Sequence, residues 1–198
     1  YADHGYHDCS VAMILEASGV SRPTFYRYFK SMKIHEEVIT QTISRPAQDV
    51  FLFFSRPENL AVITPAKLGF KILTPEPIEM TKGKVIDYAI RLFGFPVYWR
   101  TLITDYNPPF RFVDKQIKGP YVLWHHTHTF KEVAGGVEII DQVRYSIPFG
   151  ILGEMLHRLW IKKDIKHIFE HRKQIIEDLF SSDQYKKYIS PLTCGSAT

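Results

Sequence analysis

Cysteine is nearly absent from this 198-residue chain: only Cys9 and Cys194 occur, near opposite ends. That excludes a disulfide framework as the source of stability and fits a reducing, cytoplasmic setting. Long apolar runs are absent too, none approaching the roughly 20 residues needed to span a bilayer. The start, Tyr1-Ala2-Asp3-His4-Gly5, is not a secretory signal, and without an initiator Met it reads as a fragment. A strong charge of one sign is also missing, since a formal +4 is too small to imply nucleic acid by itself. What is present is apolar and aromatic. Hydrophobic residues make up 45% and charged residues 23%, which favours a packed core over disorder. The 14 Phe and 11 Tyr suit a β-rich fold or a cavity walled by rings. The length suits one domain plus an appendage.

Two unlike segments meet near Met32. Before it, Ser10 can cap a helix over residues 11–18 that Gly19 stops. Ser21 then caps a second helix with Pro23 in its first turn, which is helix–turn–helix spacing. After Met32 the period changes. A strand is expected over residues 35–42, a helix opened by Ser44-Arg45-Pro46 with Val50, Phe51 and Phe54 on its apolar face, and a short helix over 58–63. Strands follow near 69–73, 84–93, 97–104, 110–118, 121–130 and 137–146. They are punctuated by Lys82-Gly83, Gly94, Asn107-Pro108-Pro109, Gly119-Pro120 and Gly135-Gly136. Connections this short imply antiparallel neighbours. A long helix is expected over 154–180, its apolar positions including Met155, Leu156, Leu159, Ile168, Phe169, Ile175, Ile176 and Leu179. Residues 182–198 have weak periodicity and read as a poorly ordered tail. Such an order of elements gives an α+β fold, a curved antiparallel sheet of about six to seven strands covered by the C-terminal helix, with a short helical N-terminal extension.

Particular stretches carry a family resemblance. They include Ile43-Ser44-Arg45-Pro46-Ala47, Ile63-Thr64-Pro65, Trp99-Arg100-Thr101 and Pro108-Pro109-Phe110-Arg111-Phe112. Trp124-His125-His126-Thr127-His128-Thr129-Phe130 and Asp141-Gln142-Val143-Arg144-Tyr145-Ser146 are the most distinctive. Residues 32–181 resemble the SRPBCC superfamily, the helix-grip fold of START, polyketide cyclase and coenzyme Q-binding proteins, in an uncharacterised bacterial subfamily. The resemblance implies a cavity for a small hydrophobic ligand between sheet and helix. Residues 1–31 resemble a TetR-type DNA-binding segment through Gly19-Val20-Ser21-Arg22-Pro23-Thr24-Phe25-Tyr26-Arg27-Tyr28-Phe29. The first helix of that family is nearly absent here, and Met32 sits where an independent SRPBCC protein would start. The segment is therefore read as a vestigial or accidental extension in preference to a working fusion.

The candidate ligand-binding residues are Tyr88, Trp99, Phe112, Trp124, His126, His128, Asp141 and Tyr145. Strand alternation puts Trp124, His126, His128 and Phe130 on one face with His125 turned away, and Asp141 beside Val143 and Tyr145 on the next strand. Two imidazoles and a carboxylate suit a metal chemically, but a hydrogen-bonded polar network or ligand orientation is the preferred reading, and no metal or cofactor is assigned. Asp87, Arg91, Arg100 and Asp114 are expected as a charge ladder on the outer face. The basic segment 158–166 reads as a core-facing helix with a solvated face, with transient docking on an anionic membrane as the alternative. DNA-facing residues would be Ser21, Arg22, Thr24, Tyr26, Arg27, Tyr28 and Lys30, although DNA is not the favoured partner.

Three functions remain open at this point. The leading one is non-catalytic binding of a lipid, quinone or polyketide-like molecule, with no catalytic residue assigned. The second is a cyclase- or hydrolase-like enzyme using His126, His128 and Asp141 as general acid and base. The third is a ligand-responsive, TetR-like regulator.

Overall fold

A computed structural model describes residues 33–190 apart from 93 and 149, the isolated residues 21 and 23, and only the backbone at 151 and 152. Seven strands form one antiparallel sheet: β1 (His35–Ile43), β2 (Lys71–Ile72), β3 (Val85–Leu92), β4 (Phe95–Asn107), β5 (Arg111–Lys118), β6 (Leu123–Val133) and β7 (Gly136–Ser146). Their order is β1-β7-β6-β5-β4-β3-β2, so β2 to β7 are neighbours in sequence and in space while β1 returns to pair with the last strand. The pairing of β1 with β7 runs from His35 opposite Tyr145 to Ile43 opposite Val137. Each hairpin turns at the Gly or Pro punctuation expected of it.

Between β1 and β2 lie α1 (Ala47–Phe54) and α2 (Leu60–Ile63), the latter entered through a tight turn at Pro57–Asn59. The β1-to-α1 corner passes so close to the β6–β7 turn that a Cβ on Gly136 would run into the Ile43 carbonyl. A glycine is therefore required there for steric reasons. α1 buries Val50, Phe51, Phe53 and Phe54. Phe51 meets Phe130 edge-on at 5.2 Å, and Phe53 meets Phe180 at 5.4 Å, so α1 is clamped between sheet and C-terminal helix. Removing a ring at this junction, as in Phe51→Ala, costs about 3–5 kcal/mol.

The C-terminal helix is built in three pieces: α3 (Gly150–Leu156), a π-helical turn (His157–Ile161) and α4 (Lys162–Ser181). α4 turns Ile165, Phe169, Arg172, Ile176 and Leu179 to the sheet. The sequence periodicity expects Met155 and Leu159 on the same buried face, and the structure corrects this. They are 53% and 56% exposed, while Gly153, His157 and Ile165 point inward. The π turn is the reason. Its extra residue sets the phase back by about 100°, so positions four apart stay aligned from 153 to 165 where a regular helix would have drifted. The segment 158–166 thus presents Ile165 inward, with Trp160 and its lysines in solvent.

The segment expected as a loose tail makes contacts with the rest of the fold as far as Ser190. Tyr185 is buried, stacks on Phe180 at 4.4 Å and donates its hydroxyl to Asp49 Oδ2 at 2.9 Å. Beyond it α5 (Lys186–Ile189) ends on Arg56, whose guanidinium donates to the carbonyls of Tyr188, Ile189 and Ser190 at 2.7–2.8 Å. A charged fork satisfying three orphan helix-end carbonyls gives weakly periodic sequence a fixed position. Among the described residues no helix is long and apolar enough to cross a membrane.

Candidate ligand cavity and its histidine–carboxylate wall

Bulky residues on β3, β4 and β6 hold α4 away from the sheet and leave a cavity of about 200 Å3. Tyr88, Trp99, Phe112 and Trp124 line it from the strands, and Ile165, Ile168 and Phe169 line it from α4. The rings brace one another: Tyr88 stacks on Trp99 at 5.8 Å, and Trp124 meets Trp99 edge-on at 5.3 Å. Trp99 donates its indole N–H to Thr101 Oγ1 at 3.1 Å, and the Tyr88 hydroxyl pairs with the same oxygen at 3.2 Å. Thr101 thereby satisfies two polar tips that burial would otherwise penalise. Burial pushes the Tyr88 phenol up, so it stays neutral.

One wall of the cavity is charged. Register places Asp114 of β5 opposite His126 of β6, Phe112 opposite His128, and His128 opposite Asp141 of β7. Asp114, His126 and His128 face the cavity. Asp114 Oδ2 accepts from His128 Nε2 at 3.1 Å and lies 3.6 Å from His126 Nδ1. Behind the imidazoles, Asp141 Oδ1 is 2.6 Å from His128 Nδ1 and 3.5 Å from His126 Nε2. These rear contacts are close enough for ion pairing but are not aligned as hydrogen bonds, which leaves three buried atoms without one. The two rings lie 3.8 Å apart, and Phe112 stacks on His128 at 4.1 Å.

Burial and charge separate the two histidines. Desolvation, reinforced by the His128 charge, pushes His126 down and leaves it neutral. For His128 the same desolvation is outweighed by Asp141 and Asp114, and its pKa is raised. Both carboxyls pay a desolvation cost, yet both are held below the usual range, Asp114 chiefly by its bond to His128 and Asp141 chiefly by Arg172. The two carboxylates are thus opposed by Arg172 and by His128, whose charged form they favour, as a buried charge cluster requires.

The sequence candidates divide on these facts. Tyr88, Trp99, Phe112, Trp124, His126 and His128 line the cavity, whereas Asp141 and Tyr145 do not. Asp141 is screened by the imidazoles. Tyr145 is fully buried beyond the cavity, its hydroxyl 2.9 Å from His157 Nε2. Asp114 is the main correction: it belongs to the inner wall, not the outer ladder. Two-residue alternation from Phe112 was the available signal. On the outer face Asp87 and Arg100 do pair, at 2.7 and 2.9 Å. Arg172 went unrecognised because a cation on an amphipathic helix ordinarily faces solvent; here it is buried, 5.1 Å from the Phe54 ring. Of the DNA-facing candidates only Ser21 is among the described residues; Arg22, Thr24, Tyr26, Arg27, Tyr28 and Lys30 lie outside them, as do Cys9 and Cys194.

Known proteins supply two kinds of likeness. Residues 1–33 match the family model of bacterial regulatory proteins, tetR family. No curated protein matches the chain in sequence. Among solved structures, TTHA0849 from Thermus thermophilus is similar with a TM-score of 0.61 at 15% identity, over 75% of this chain and 99% of that one. The di-domain ARO/CYC StfQ from the steffimycin biosynthetic pathway gives 0.61 at 11% identity, over 80% of this chain and 54% of that one. Major latex-like protein 151 from Panax ginseng gives 0.55 at 14% identity, over 74% and 97%. With the seven-stranded antiparallel sheet and the long C-terminal helix, these likenesses establish a helix-grip fold of the α+β class.

Proposed function

We propose that the segment 32–181 is an SRPBCC-type domain that binds one small, mostly apolar molecule between sheet and C-terminal helix. The observation that carries this is the cavity, ring-walled on four strands and lined at one side by Asp114, His126 and His128. Apolar burial supplies the affinity, and the polar wall orients a single polar end of the ligand. A volume of about 200 Å3 suits a compact ring-bearing molecule better than a long-chain lipid or an extended isoprenoid quinone, which would need α4 to move outward. Trp99 and Trp124 stand in the wall, so occupancy reports itself through intrinsic fluorescence. The test is native mass spectrometry and organic extraction of the purified chain, followed by tryptophan-fluorescence titration with the recovered compound or with an aromatic probe. Recovery of an apolar compound that quenches this emission supports the reading. Absence of any bound compound, together with no response to aromatic probes, would sink it.

A second reading concerns residues 1–33. Their match to the tetR-family model supports a DNA-contacting role in which ligand uptake by the neighbouring domain tunes DNA affinity. Salt-dependent DNA binding that disappears in an Arg22/Arg27/Lys30 triple alanine variant supports it; binding unaffected by those changes removes it.

A further inference from the structure

We infer that Asp114, His126 and His128 form a binding site for one first-row divalent cation, opening into the cavity. Ligand atoms from the three residues lie within 4.8 Å of one another. The carboxylate oxygen is 3.1 Å from His128 Nε2 and 3.6 Å from His126 Nδ1. Metal–nitrogen and metal–oxygen bonds of about 2.0–2.2 Å place donor atoms about 3.4 Å apart in a tetrahedral arrangement and about 3.0 Å apart in a facial octahedral one. The two carboxylate–nitrogen separations, 3.1 and 3.6 Å, lie close to the tetrahedral value. A proton between these atoms serves only one contact, because His126 Nδ1 lies beyond hydrogen-bond distance of the carboxylate. A cation at the centre serves all three.

The rear of the site is arranged as metal sites are. Ligating imidazoles ordinarily present their second nitrogen to a carboxylate, which fixes the ring and its tautomer. Here a single residue, Asp141, faces the second nitrogens of both rings, at 2.6 and 3.5 Å. Those buried nitrogens and Asp141 Oδ1 have no other partner. The other nitrogens, His126 Nδ1 and His128 Nε2, lie on the side of Asp114, and all three residues line the cavity. Two imidazoles and one carboxylate leave coordination positions open, and two nitrogens with one oxygen suit zinc or ferrous iron better than calcium or magnesium. An oxygen donor on the cavity's occupant would fill an open position; holding the cation does not depend on that occupant.

The other group of this composition among the described residues, His35, Glu154 and His157, lacks these features. His35 Nε2 is bonded to Glu154 at 2.8 Å, His157 Nε2 is paired with the Tyr145 hydroxyl, and the two rings stack at 3.6 Å outside the cavity.

The experiment uses the full chain, stripped with a chelator, dialysed, and titrated with Co2+ by visible absorption and with Zn2+ by calorimetry. One cation per chain is expected, with Zn2+ displacing Co2+. Asp114→Asn abolishes this binding, and Asp141→Asn, acting only through the rings, weakens it by about 10–100-fold. The outer-face variant Asp87→Asn leaves it unchanged. Circular dichroism checks that each variant is folded. Because Asp114→Asn can perturb folding, long-range 1H–15N spectra of the wild-type histidines give a second measurement: Zn2+ shifts His126 Nδ1 and His128 Nε2. A folded wild type that binds no more cation than Asp114→Asn, or whose His126 and His128 resonances ignore Zn2+, overturns the inference. Fluorescence uptake of an aromatic probe by the metal-free chain is read separately. Probe uptake without metal binding removes this inference alone, and metal binding without probe uptake removes the ligand-binding reading alone.

Discussion

Asp114 and Asp141 stand on opposite sides of the same two imidazoles, Asp114 3.1 Å from His128 Nε2 on the cavity side and Asp141 2.6 Å from His128 Nδ1 behind it. One carboxylate faces the cavity and the other is sealed beneath it, so the two have separable roles. Asp114 is placed to meet an occupant of the cavity. Asp141 holds the rings in place.

Removing the sealed carboxylate strands the charges that it balances. Asp141→Ala leaves Asp114 as the one carboxylate beside the buried Arg172 and His128, and a broken buried pair costs about 3–5 kcal/mol. Urea denaturation followed by circular dichroism should show the stability falling by that amount. A change within experimental error would mean that the cluster does not bear on stability.

Filling the cavity should block occupancy while sparing the fold. Ile168 lines the cavity from α4 and is only partly buried. Ile168→Trp should reduce uptake of an aromatic probe at least tenfold, with the melting temperature nearly unchanged. Unaltered uptake would place the occupied space elsewhere.

Close approach at the β1–α1 corner makes a small substitution expensive. In Gly136→Ala the added methyl collides with the Ile43 backbone, and overpacking of this kind costs about 1–3 kcal/mol. A thermal melt checks it, with Gly83→Ala as a comparison position where only the positive φ of 89° is disturbed and no atom is met.

The Arg56 fork is expected to hold residues 186–190 onto α1. Arg56→Met removes three charge-assisted bonds to the Tyr188, Ile189 and Ser190 carbonyls. Trypsin should then cut after Lys186 or Lys187 markedly faster than in the wild type, because the substitution frees local structure ahead of global unfolding. Equal cleavage rates would show that the other contacts, from Tyr185, Tyr188 and Asn59, suffice to anchor the segment.

On the outer face, the Arg100 guanidinium beside Asp87 holds its carboxyl below the ordinary value. The folded pKa is depressed, so the pair's contribution is present above the unfolded carboxyl pKa of about 3.9 and is lost as pH falls through the lower folded value. Asp87→Asn should therefore lower the melting temperature slightly at neutral pH and have no effect in strong acid. An exposed pair is screened, so raising the salt concentration should shrink the difference. A salt-independent difference would point to packing instead of charge.

Strand periods, turn residues and the long amphipathic stretch are local properties, and they placed all seven strands and the C-terminal helix in order before any contact was known. Alternation also put His126 and His128 on one face, and by the same rule Asp114 belonged beside Phe112. What local pattern cannot carry is register and phase. Which carboxylate lies in front of the imidazoles depends on which strands are neighbours, and β7 is flanked by β1 and β6 while β5 lies on the other side of β6. The inward turn of Arg172 and the solvent exposure of Met155 and Leu159 follow from the π turn and from the charges waiting under α4, neither of which has a periodic signature. The sequence by itself determined a sheet gripping a helix. The tertiary structure decided that the grip closes on two histidines held between two aspartates, because only packing brings β5, β6, β7 and α4 within reach of one another.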